Sequence, residues 1–460
     1  MALIKRNEVN TERGVIYAPW ERTFSKVLTP FEEFVSRQTA GGILLMAAAV
    51  IAIFLANSSI ADWYKHFIHT PLSLSFGDWR LQMSLHHWVN DAMMALFFFV
   101  VGLELKREMM VGELSDIRQA SLPVIAALGG MVVPALIYVA FNHQGDAMRG
   151  WGVPMATDIA FAVGVLALLS KRVPKALVTF LVALAIADDL GAVLVIALFY
   201  TQELSLLWVL TAFALVLLLI TLNYAGIRKA MPYFIVAVLL WYAMLQSGVH
   251  ATLAGVLGAF TVPMRSKYDP ALFADRVNEQ VDAFISSRQS GGNVLSNQKL
   301  YAVVQNIEAS AVSVQTPLQR LESIWHLPVA FLVIPIFALF NAGISLDLST
   351  LKQTFMHPVT LGAMFGLLFG KFIGITGASW IGLCLGIAKL PTGTRFSQLA
   401  AASVLGGIGF TMSIFIAELA FTNHSDYLLM AKTGVLVASL LAGIIGFTLL
   451  FWLGSKDSKI

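Results

Sequence analysis

The stretch VALAIADDLGAVLVIALFY, residues 182–200, places Asp188 and Asp189 side by side inside an apolar run that is long enough to cross a bilayer. One carboxylate at the centre of a membrane helix costs about 2.5–3.5 kcal/mol on insertion scales, so the pair costs on the order of 5 kcal/mol or more. A partner, water or a function has to offset that cost.

The composition is that of a membrane protein. Of the 460 residues, 58% are hydrophobic and only 12% are charged, and the mean hydropathy is +0.77. Ordinary globular chains carry about 25% charged residues. The net charge of +3 comes from basic residues scattered between apolar runs, which argues against a nucleic-acid partner. With Cys384 as the only cysteine there is no intrachain disulfide, and no motif indicates a cofactor or a cleaved signal peptide.

The apolar runs predict an all-α polytopic membrane protein with twelve transmembrane helices. These lie near residues 41–58, 88–105, 121–141, 152–170, 176–200, 205–223, 230–247, 248–263, 327–345, 358–387, 397–420 and 427–453. If both termini are cytoplasmic, 24 of the 30 basic residues fall in cytoplasmic segments and 4 in outer loops. This asymmetry predicts the orientation, because basic residues mark the cytoplasmic side.

The segments outside the spans predict a simple domain organisation. Residues 1–40 are expected to be cytoplasmic, with an amphipathic surface helix at 21–38, and residues 454–460 form a cytoplasmic tail. Residues 41–453 form a single transporter domain. Within it, alternating apolar residues around Gly77-Asp78 predict an outer hairpin at 70–84, which is expected to pair with a second copy. Residues 264–323 form a long cytoplasmic loop with a flexible linker at 286–298 and no soluble domain.

Few ionisable residues lie within the predicted spans, and each needs a partner, water or a function. They are Asp91, Glu104, Asp158, Asp188, Asp189, His250, Lys371, Glu418 and Lys432. Adjacent residues point about 100° apart on a helix, so Asp188 and Asp189 can flank one cavity. Two ionised carboxylates there repel each other, which favours binding of a proton or a hard cation. The alternative is a structural pair that hydrogen-bonds to neighbouring helices.

Two predicted spans are expected to be interrupted. Pro154 and the Thr157-Asp158 pair break the fourth span, and the three glycines of GGIGFTMS, residues 406–413, weaken the eleventh. Those glycines are also compatible with close helix packing. Spans 3–5 and 10–12 run in opposite directions by the charge rule, so the two breaks occupy equivalent places in inverted-topology repeats.

Lys371 lies too deep to reach the membrane surface. It can pair with a carboxylate, or face the carbonyl ends of interrupted helices while Asp158 faces their amide ends. Glu418 and Lys432 lie nearer span ends and are interpreted as interfacial anchors. His86-His87 does not form a metal pair, because adjacent histidines diverge on a helix.

Seven segments, in order along residues 30–450, resemble the NhaA sodium/proton antiporters of bacterial inner membranes, which are among the known inverted-repeat transporters. They are NDAMMALFFFVVGLELKRE (90–108), ATDIAFA (156–162), ALAIADDLGA (183–192), SGVHATLAG (247–255), NAGISL (341–346), GKFIGI (370–375) and GGIGFTMSIFI (406–416). The resemblance implies export of Na⁺ or Li⁺ driven by protons moving inward, electrogenic and activated at alkaline pH.

The resemblance also implies roles for individual residues. Asp188 and Asp189 match the aspartates that bind Na⁺ or Li⁺ and protons, Lys371 matches a lysine that pairs with the first of them, and Thr157 and Asp158 match an unwound segment. Glu104, Glu108, Glu322 and His250 match positions linked to pH sensing, Asp91 matches one linked to transport, and the 70–84 hairpin matches a homodimer contact. The chain departs from the family in having Ser323 where a second histidine is expected and in its longer 264–323 loop.

Other interpretations remain for several of these features. His250 is also compatible with a tolerated interfacial histidine, and Glu104, Glu108 and Glu322 with a solvated rim. A passive cation channel is the main functional alternative. An intramembrane aspartyl protease or a diphosphate-processing enzyme is weaker, because the GxGD and DDxxD motifs are both missing. The chain is therefore expected not to be an enzyme.

Overall fold

A computed structural model of the chain describes residues 11–12, 15–16, 38–169, 172–201, 204–266, 269–288, 297–345 and 351–454. This part of the chain is mostly helical. It contains nine helices that are long and apolar enough to cross a membrane, or up to eleven if each of two bent helix pairs is one span. The prediction of an all-α polytopic membrane protein is confirmed at this level.

The first half of the chain forms helices α1 to α8 and two short antiparallel sheets. The helices are α1 (Gln38–Ala56), α2 (Ala61–His69), α3 (Leu85–Val111), α4 (Ile117–Phe141), α5 (Ile159–Leu168), α6 (Lys175–Phe199), α7 (Leu206–Tyr224) and α8 (Ala230–Ser247). The strands are β1 (Thr11–Glu12) with β2 (Val15–Ile16), and β3 (Pro71–Phe76) with β4 (Trp79–Ser84).

The second half forms helices α9 to α17. They are α9 (Leu253–Thr261), α10 (Pro270–Arg288), α11 (Gln298–Val314), α12 (Pro317–Asn341), α13 (Leu351–Met356), α14 (Pro358–Cys384), α15 (Phe396–Leu405), α16 (Phe410–Ala420) and α17 (Ser425–Leu453).

The count of twelve spans is not confirmed. The eighth predicted span, residues 248–263, contains only α9, whose nine residues extend about 14 Å at 1.5 Å per residue. That is about half of the roughly 30 Å hydrocarbon core. The apolar run is broken because Gly248 adopts a left-handed conformation (φ 83°) and caps α8. The first predicted span corresponds to α1 alone, and α2 turns away from it by 115°.

The helices form two groups. In the first, α4 packs against α6 and α14, while α17 packs against α14, α15 and α16. In the second, α3 packs against α9 and α12, and α8 packs against α7 and α9. Helix α5 packs on α6 and so belongs to the first group. Helix α1 contacts α5 and also α12 of the second group, and α12 contacts α16. The residues discussed below lie in the first group and along its boundary with the second.

Both predicted helix interruptions are present. In the fourth predicted span a 3₁₀ segment, Asp146–Met155, leads into extended backbone at Ala156, and α5 begins after Asp158. In the eleventh, α15 and α16 are separated by four residues and bent by 48°. The opposite orientation of the two triplets remains a prediction.

The connecting segments differ from the prediction in one place. Strands β3 and β4 form the hairpin at 70–84, with Gly77 at φ 60° in its turn. The 264–323 loop contains α10 and α11, which pack against each other. The flexible linker expected at 286–298 overlaps the end of α10 and the start of α11, so that expectation was wrong at both ends. Residues 21–37 of the amphipathic helix and residues 455–460 of the tail lie outside the described residues.

Candidate functional site

Helix α6 carries Asp188 and Asp189 near its centre, where both side chains are buried at 0% and 1% exposure. The energetic cost of burying a carboxylate therefore applies to both side chains. How each carboxylate is partnered decides what it can do.

Asp188 has two partners on one oxygen. The Lys371 Nζ of α14 donates to Asp188 Oδ2, and Thr157 Oγ1 lies 2.8 Å from the same oxygen. Helix α14, which carries Lys371, packs closely on α4 because Gly374 and Gly129 have no side chains to separate the two backbones. Asp188 Oδ1 accepts no hydrogen bond from the described residues. Of the two possibilities for Lys371, the geometry shows pairing with a carboxylate.

Asp158 joins the two interrupted helices. Its Oδ1 accepts from the amide of Phe161 and caps the N-terminus of α5, while its Oδ2 accepts from the amide of Thr411, 3.0 Å away, in the first turn of α16. Thr411 Oγ1 donates to the same oxygen at 2.5 Å. One carboxylate thus faces the positive amide ends of both helices, where a negative charge is stabilised.

The unwound backbone is satisfied across the two breaks. The amide of Asp158 donates to the carbonyl of Ile408 at 2.7 Å, and Thr157 Oγ1 lies 2.9 Å from the carbonyl of Gly406. Irregular backbone at membrane depth requires such partners, because no lipid group can supply them. Sequence reasoning attributed the second break to its glycines and missed Thr411, which was inside the quoted segment.

Asp189 differs from its neighbours. Neither of its oxygens accepts a hydrogen bond from the described residues. Its side chain lines a cavity of about 890 Å³, together with Asp158 and Thr411. A buried carboxylate beside a cavity of that size, with both oxygens unpartnered among the described residues, is a candidate site for a water molecule or a small cation.

Charged side chains line the other end of the same cavity. Arg107 bridges Glu108 and Glu322, with nitrogen–oxygen distances of 3.2 Å to each, and His326 Nδ1 lies 3.3 Å from Glu104 Oε1. The structure therefore brings Glu104, Glu108 and Glu322 together, as their matched roles imply. His326 was missed, although its position one helical turn after Glu322 was a usable signal.

Five of the matched residues are not among the side chains that line this cavity: Thr157, Asp188, Lys371, His250 and Asp91. His250 lies between α8 and α9, where its Nε2 is 2.6 Å from the carbonyl of Tyr200 at the end of α6. Asp91 lies in the first part of α3, and its carbonyl accepts from Trp241 Nε1 at 3.2 Å.

Glu418 and Lys432, which the sequence suggested as interfacial anchors, form an ion pair with each other. Their side chains are only 11% and 12% exposed, and Lys432 Nζ lies 2.5 Å from Glu418 Oε1. His86 Nε2 lies 3.5 Å from the same oxygen. The sequence did not show the contact with His86 because α3 is far from α16 along the chain, and it did not show the ion pair because Lys432 lies across a turn, in the helix that follows Glu418.

The arrangement suits small, hard cations and protons. Na⁺ and Li⁺ prefer oxygen ligands, and Asp188 and Asp189 offer three carboxylate oxygens that lack protein partners among the described residues. In the same part of the chain, no group of three or more His, Cys, Asp or Glu side chains is placed to hold a metal ion permanently.

Comparison with known proteins agrees with this chemistry. A family described as "Na+/H+ antiporter 1" matches residues 32–450. The Na(+)/H(+) antiporter NhaA 1 of Saccharophagus degradans is 56% identical, over 96% of this chain and 95% of its own length. The NhaA antiporters of Syntrophobacter fumaroxidans and Sulfurimonas denitrificans are 52% and 50% identical, over 95% and 94% of this chain and 93% and 97% of their own lengths.

These relatives are named as transporters, which separates the chain from the enzymes considered as alternatives. The match covers nearly the whole chain and includes every helix that contributes to the cavity. The chain is a multi-pass membrane protein and belongs to the Na⁺/H⁺ antiporter 1 family.

Proposed function

We propose that this chain exchanges cytoplasmic Na⁺, or Li⁺, for external protons, and that ion and protons compete for Asp188 and Asp189. The relatives' names support Na⁺/H⁺ exchange. The observation that carries the residue assignment is the pair of unpartnered Asp189 oxygens at the buried end of the cavity, beside the partly free Asp188.

Competition follows from the chemistry of the pair. A bound cation needs ionised carboxylates, whereas burial favours their protonated form when no cation is bound. Sodium arriving through the cavity therefore displaces protons, and protons arriving from the opposite side displace sodium. Thr157 and Lys371 hold Asp188 in place during this exchange, and Asp158 holds the two interrupted helices.

The orientation follows from the basic residues. Their excess supports an orientation with the Glu104 end of the cavity and both termini on the cytoplasmic side. The resemblance to antiporters of bacterial inner membranes supports that location. The cavity seen here then opens inward. The exposed leucines of α7, among them Leu206, Leu207 and Leu210, face lipid in this arrangement. The proposal includes twelve spans with inverted repeats, with α9 contributing the short eighth one.

The exchange is proposed to be electrogenic. If two protons enter for each Na⁺ that leaves, one net charge moves inward in each cycle, and that charge carries about 2.3 kcal/mol per 100 mV of membrane potential. The membrane potential can then help to drive sodium export.

The charged residues at the cavity mouth are proposed to regulate access by pH. Glu104, Glu108 and Glu322 surround Arg107 and His326, so protonation changes both the local charge and the ion pairs that shape the mouth. His250 and Asp91 are proposed to act from outside the cavity, His250 through its contact with the end of α6.

A homodimer through the β3–β4 hairpin is proposed as well. The hairpin exposes Leu72 at 46% and Leu74 at 50%, and a two-stranded hairpin is only marginally stable alone. Pairing with a second copy would cover these side chains.

The test replaces Asp189 by Asn. We expect loss of Na⁺-dependent proton flux in everted vesicles that carry a pH dye, because Asn binds neither a proton nor a cation with comparable strength. Asp78→Asn, in the exposed hairpin turn, is the matched control and should retain the flux. Normal flux in a correctly inserted Asp189→Asn protein would refute the assignment. A passive cation channel is distinguished because it would carry Na⁺ without moving protons.

A further inference from the structure

Three helices carry a buried phenylalanine next to cavity-lining residues. In α12 and α16, residues that line the cavity are followed along the helix axis by the phenylalanine and then by a polar residue. In α3 the phenylalanine lies between two lining residues, and a polar residue lies further toward the same end. The lining residues near the three phenylalanines are Phe97 and Val100 of α3, Val329, Ala330 and Ile334 of α12, and Thr411 and Met412 of α16.

The three phenylalanines form one layer. Phe98, Phe337 and Phe415 are each 1% exposed. The ring centroid of Phe415 lies 5.6 Å from that of Phe98 and 6.2 Å from that of Phe337. The ring planes meet at 50° and 67°, so these are tilted and edge-on contacts, and at these distances no water fits between Phe415 and either of the other two rings. The layer lies beside the cavity, because Phe97, Ile334 and Met412, which line it, are one to three residues from the three rings along the chain.

A polar cluster, buried at Asn90 and Asn341 and partly exposed elsewhere, lies further along the same helices than the aromatic layer. We call it the His86 cluster, and it consists of His86, Asn90, Asn341, Glu418 and Lys432. Asn341 donates to Asn90 Oδ1 at 2.8 Å, and His86 Nε2 lies 3.0 Å from Asn341 Oδ1 and 3.5 Å from Glu418 Oε1. His69 and His87 also lie nearby, with ring centroids 5.7 and 6.1 Å from that of His86, and Asp91 follows Asn90 in α3.

The His86 cluster joins the two helix groups. His86 and Asn90 belong to α3 and Asn341 to α12, both in the second group, whereas Glu418 and Lys432 belong to α16 and α17 in the first. The contact of His86 with Glu418 therefore crosses the boundary between the two groups. Desolvated polar side chains are costly in hydrocarbon, so a cluster of them behind an apolar seal needs an explanation.

We propose that Phe98, Phe337 and Phe415 are the gate of the outer half of the ion route, and that the contact of His86 with Glu418 is the latch that keeps this gate shut. The inference rests on the proposed exchange and its orientation. When the two helix groups part at this end, the latch breaks, the rings separate, and the polar residues of the His86 cluster line the route from Asp189 to the outside.

This assignment gives each part a physical task. An apolar constriction excludes water and ions while it stays closed, and it conducts once water fills it. An exchanger must never open both ends at once, so the layer has to stay sealed while the inner cavity is open. The latch supplies a contact that exists in this conformation and is lost in the other, which is what a two-state element requires.

The first experiment tests the gate. Purified protein in liposomes that contain a pH dye is given a potassium–valinomycin potential without Na⁺, and the proton leak is measured. Phe415→Ala should raise the leak about threefold or more, because a wetted gap then links the inner cavity to the outer side. Phe421→Ala is the matched control, since Phe421 is equally buried at the end of α16 but is not in the layer. It should leave the leak unchanged.

The second experiment tests the latch. The only cysteine is removed as Cys384→Ser, and Ala338→Cys introduces a reporter beside Phe337 at a position that is 1% exposed. An impermeant thiol reagent added outside should label this cysteine about threefold faster or more when Glu418→Gln is present, because the open state gains population. Asp426→Asn, an exposed change at the same end of the molecule, is the control and should not alter the rate.

Two results would overturn the inference. One is a wild-type leak from folded Phe415→Ala and from the Phe98→Ala, Phe415→Ala double variant. The other is an unchanged labelling rate in a Glu418→Gln protein whose thermal stability has fallen. That result would mean that the His86 cluster stabilises the fold but does not control opening. Neither experiment uses Na⁺, so they fail or succeed separately from the Asp189→Asn test of the exchange itself.

Discussion

At the residue scale, the ion pair of Lys371 with Asp188 compensates two buried charges, so the stability of the protein depends on both partners being present. Both side chains are fully buried, and removing one partner of a buried pair leaves an uncompensated charge. The cost of such a change is about 3–5 kcal/mol, whereas removing both partners is far less harmful. The pair is therefore best tested by single and double substitution.

We predict that Lys371→Met lowers the unfolding temperature markedly in a given detergent. Adding Asp188→Asn should restore part of that loss, because the unpaired charge is then gone. Lys389→Met, at an exposed position, should change little. The measurement is thermal unfolding of all four proteins in parallel, and a double variant no more stable than Lys371→Met would contradict the assigned pairing.

The expensive residues could be recognised from the sequence, but their partners could not. Asp158, Asp188, Asp189 and Lys371 stand out because charge inside an apolar run is costly. Which atom satisfies each of them depends on approach between distant segments, as where Thr157 meets the carbonyl of Gly406, 249 residues away. The same reason hid the contacts of His326 and of the His86 cluster.

At the element scale, helix α14 positions Lys371 only because it packs backbone to backbone on α4. A Cβ added at Gly374 would lie 2.2 Å from the carbonyl oxygen of Gly129, whereas one added at Gly377 would meet nothing within 4 Å. These two glycines lie three residues apart on the same helix, so they make a matched pair.

We predict that Gly374→Ala destabilises the protein by about 1–3 kcal/mol, because the two helices must separate. The same change displaces Lys371 and should reduce exchange. Gly377→Ala should keep the exchange and match or exceed the wild-type stability, since alanine favours the helix by up to about 1 kcal/mol. Unfolding curves and vesicle flux measured for both variants decide this, and equal behaviour of the two would exclude the packing argument.

The N-terminus of α14 gives the fold a measurable pH dependence. His357 caps this helix, its Nδ1 accepting from the amide of Val359 at 3.2 Å. Partial burial lowers the pKa of His357 below its usual value of about 6.5. The unfolded chain therefore binds this proton more readily, and the stability that the neutral cap supplies is present above about pH 6.5 and is lost as pH falls through the folded pKa.

We predict that His357→Asn loses less stability than the wild type between pH 8 and pH 5.5. Asparagine keeps a capping acceptor but does not titrate, and a cap contributes about 0.5–2 kcal/mol. Unfolding temperatures at the two pH values provide the measurement. An unchanged difference between them would show that the cap does not contribute to the acid sensitivity.

Elements were predictable where periodicity and composition carry the signal, and less so where backbone conformation decides. The long spans and both interruptions follow from apolar length, Pro154 and the glycines at 406–409. The length of the eighth span could not be predicted in this way, because hydropathy does not report backbone conformation. The left-handed turn at Gly248 leaves α9 with only nine residues. Helices α10 and α11 were missed because their polar composition was interpreted as a loop.

At the scale of the whole molecule, the two helix groups enclose a route with one open and one closed end. The cavity is lined by Glu104 and by Asp189, and in our proposal the aromatic layer separates it from the His86 cluster. Sequence analysis indicated an exchanger from the paired aspartates and the resemblance. It could not indicate which end is open in a given conformation, since that depends on how the groups pack.

The central claim is that Na⁺ and protons exclude one another at Asp188 and Asp189. The direct measurement adds NaCl, or choline chloride as control, to the detergent-solubilised protein in weak buffer with a pH indicator, and binding of radioactive Na⁺ is followed in parallel. The account predicts release of about one to two protons for each Na⁺ bound, because ionised ligands are needed for the cation. Stoichiometric Na⁺ binding with no proton release would contradict it.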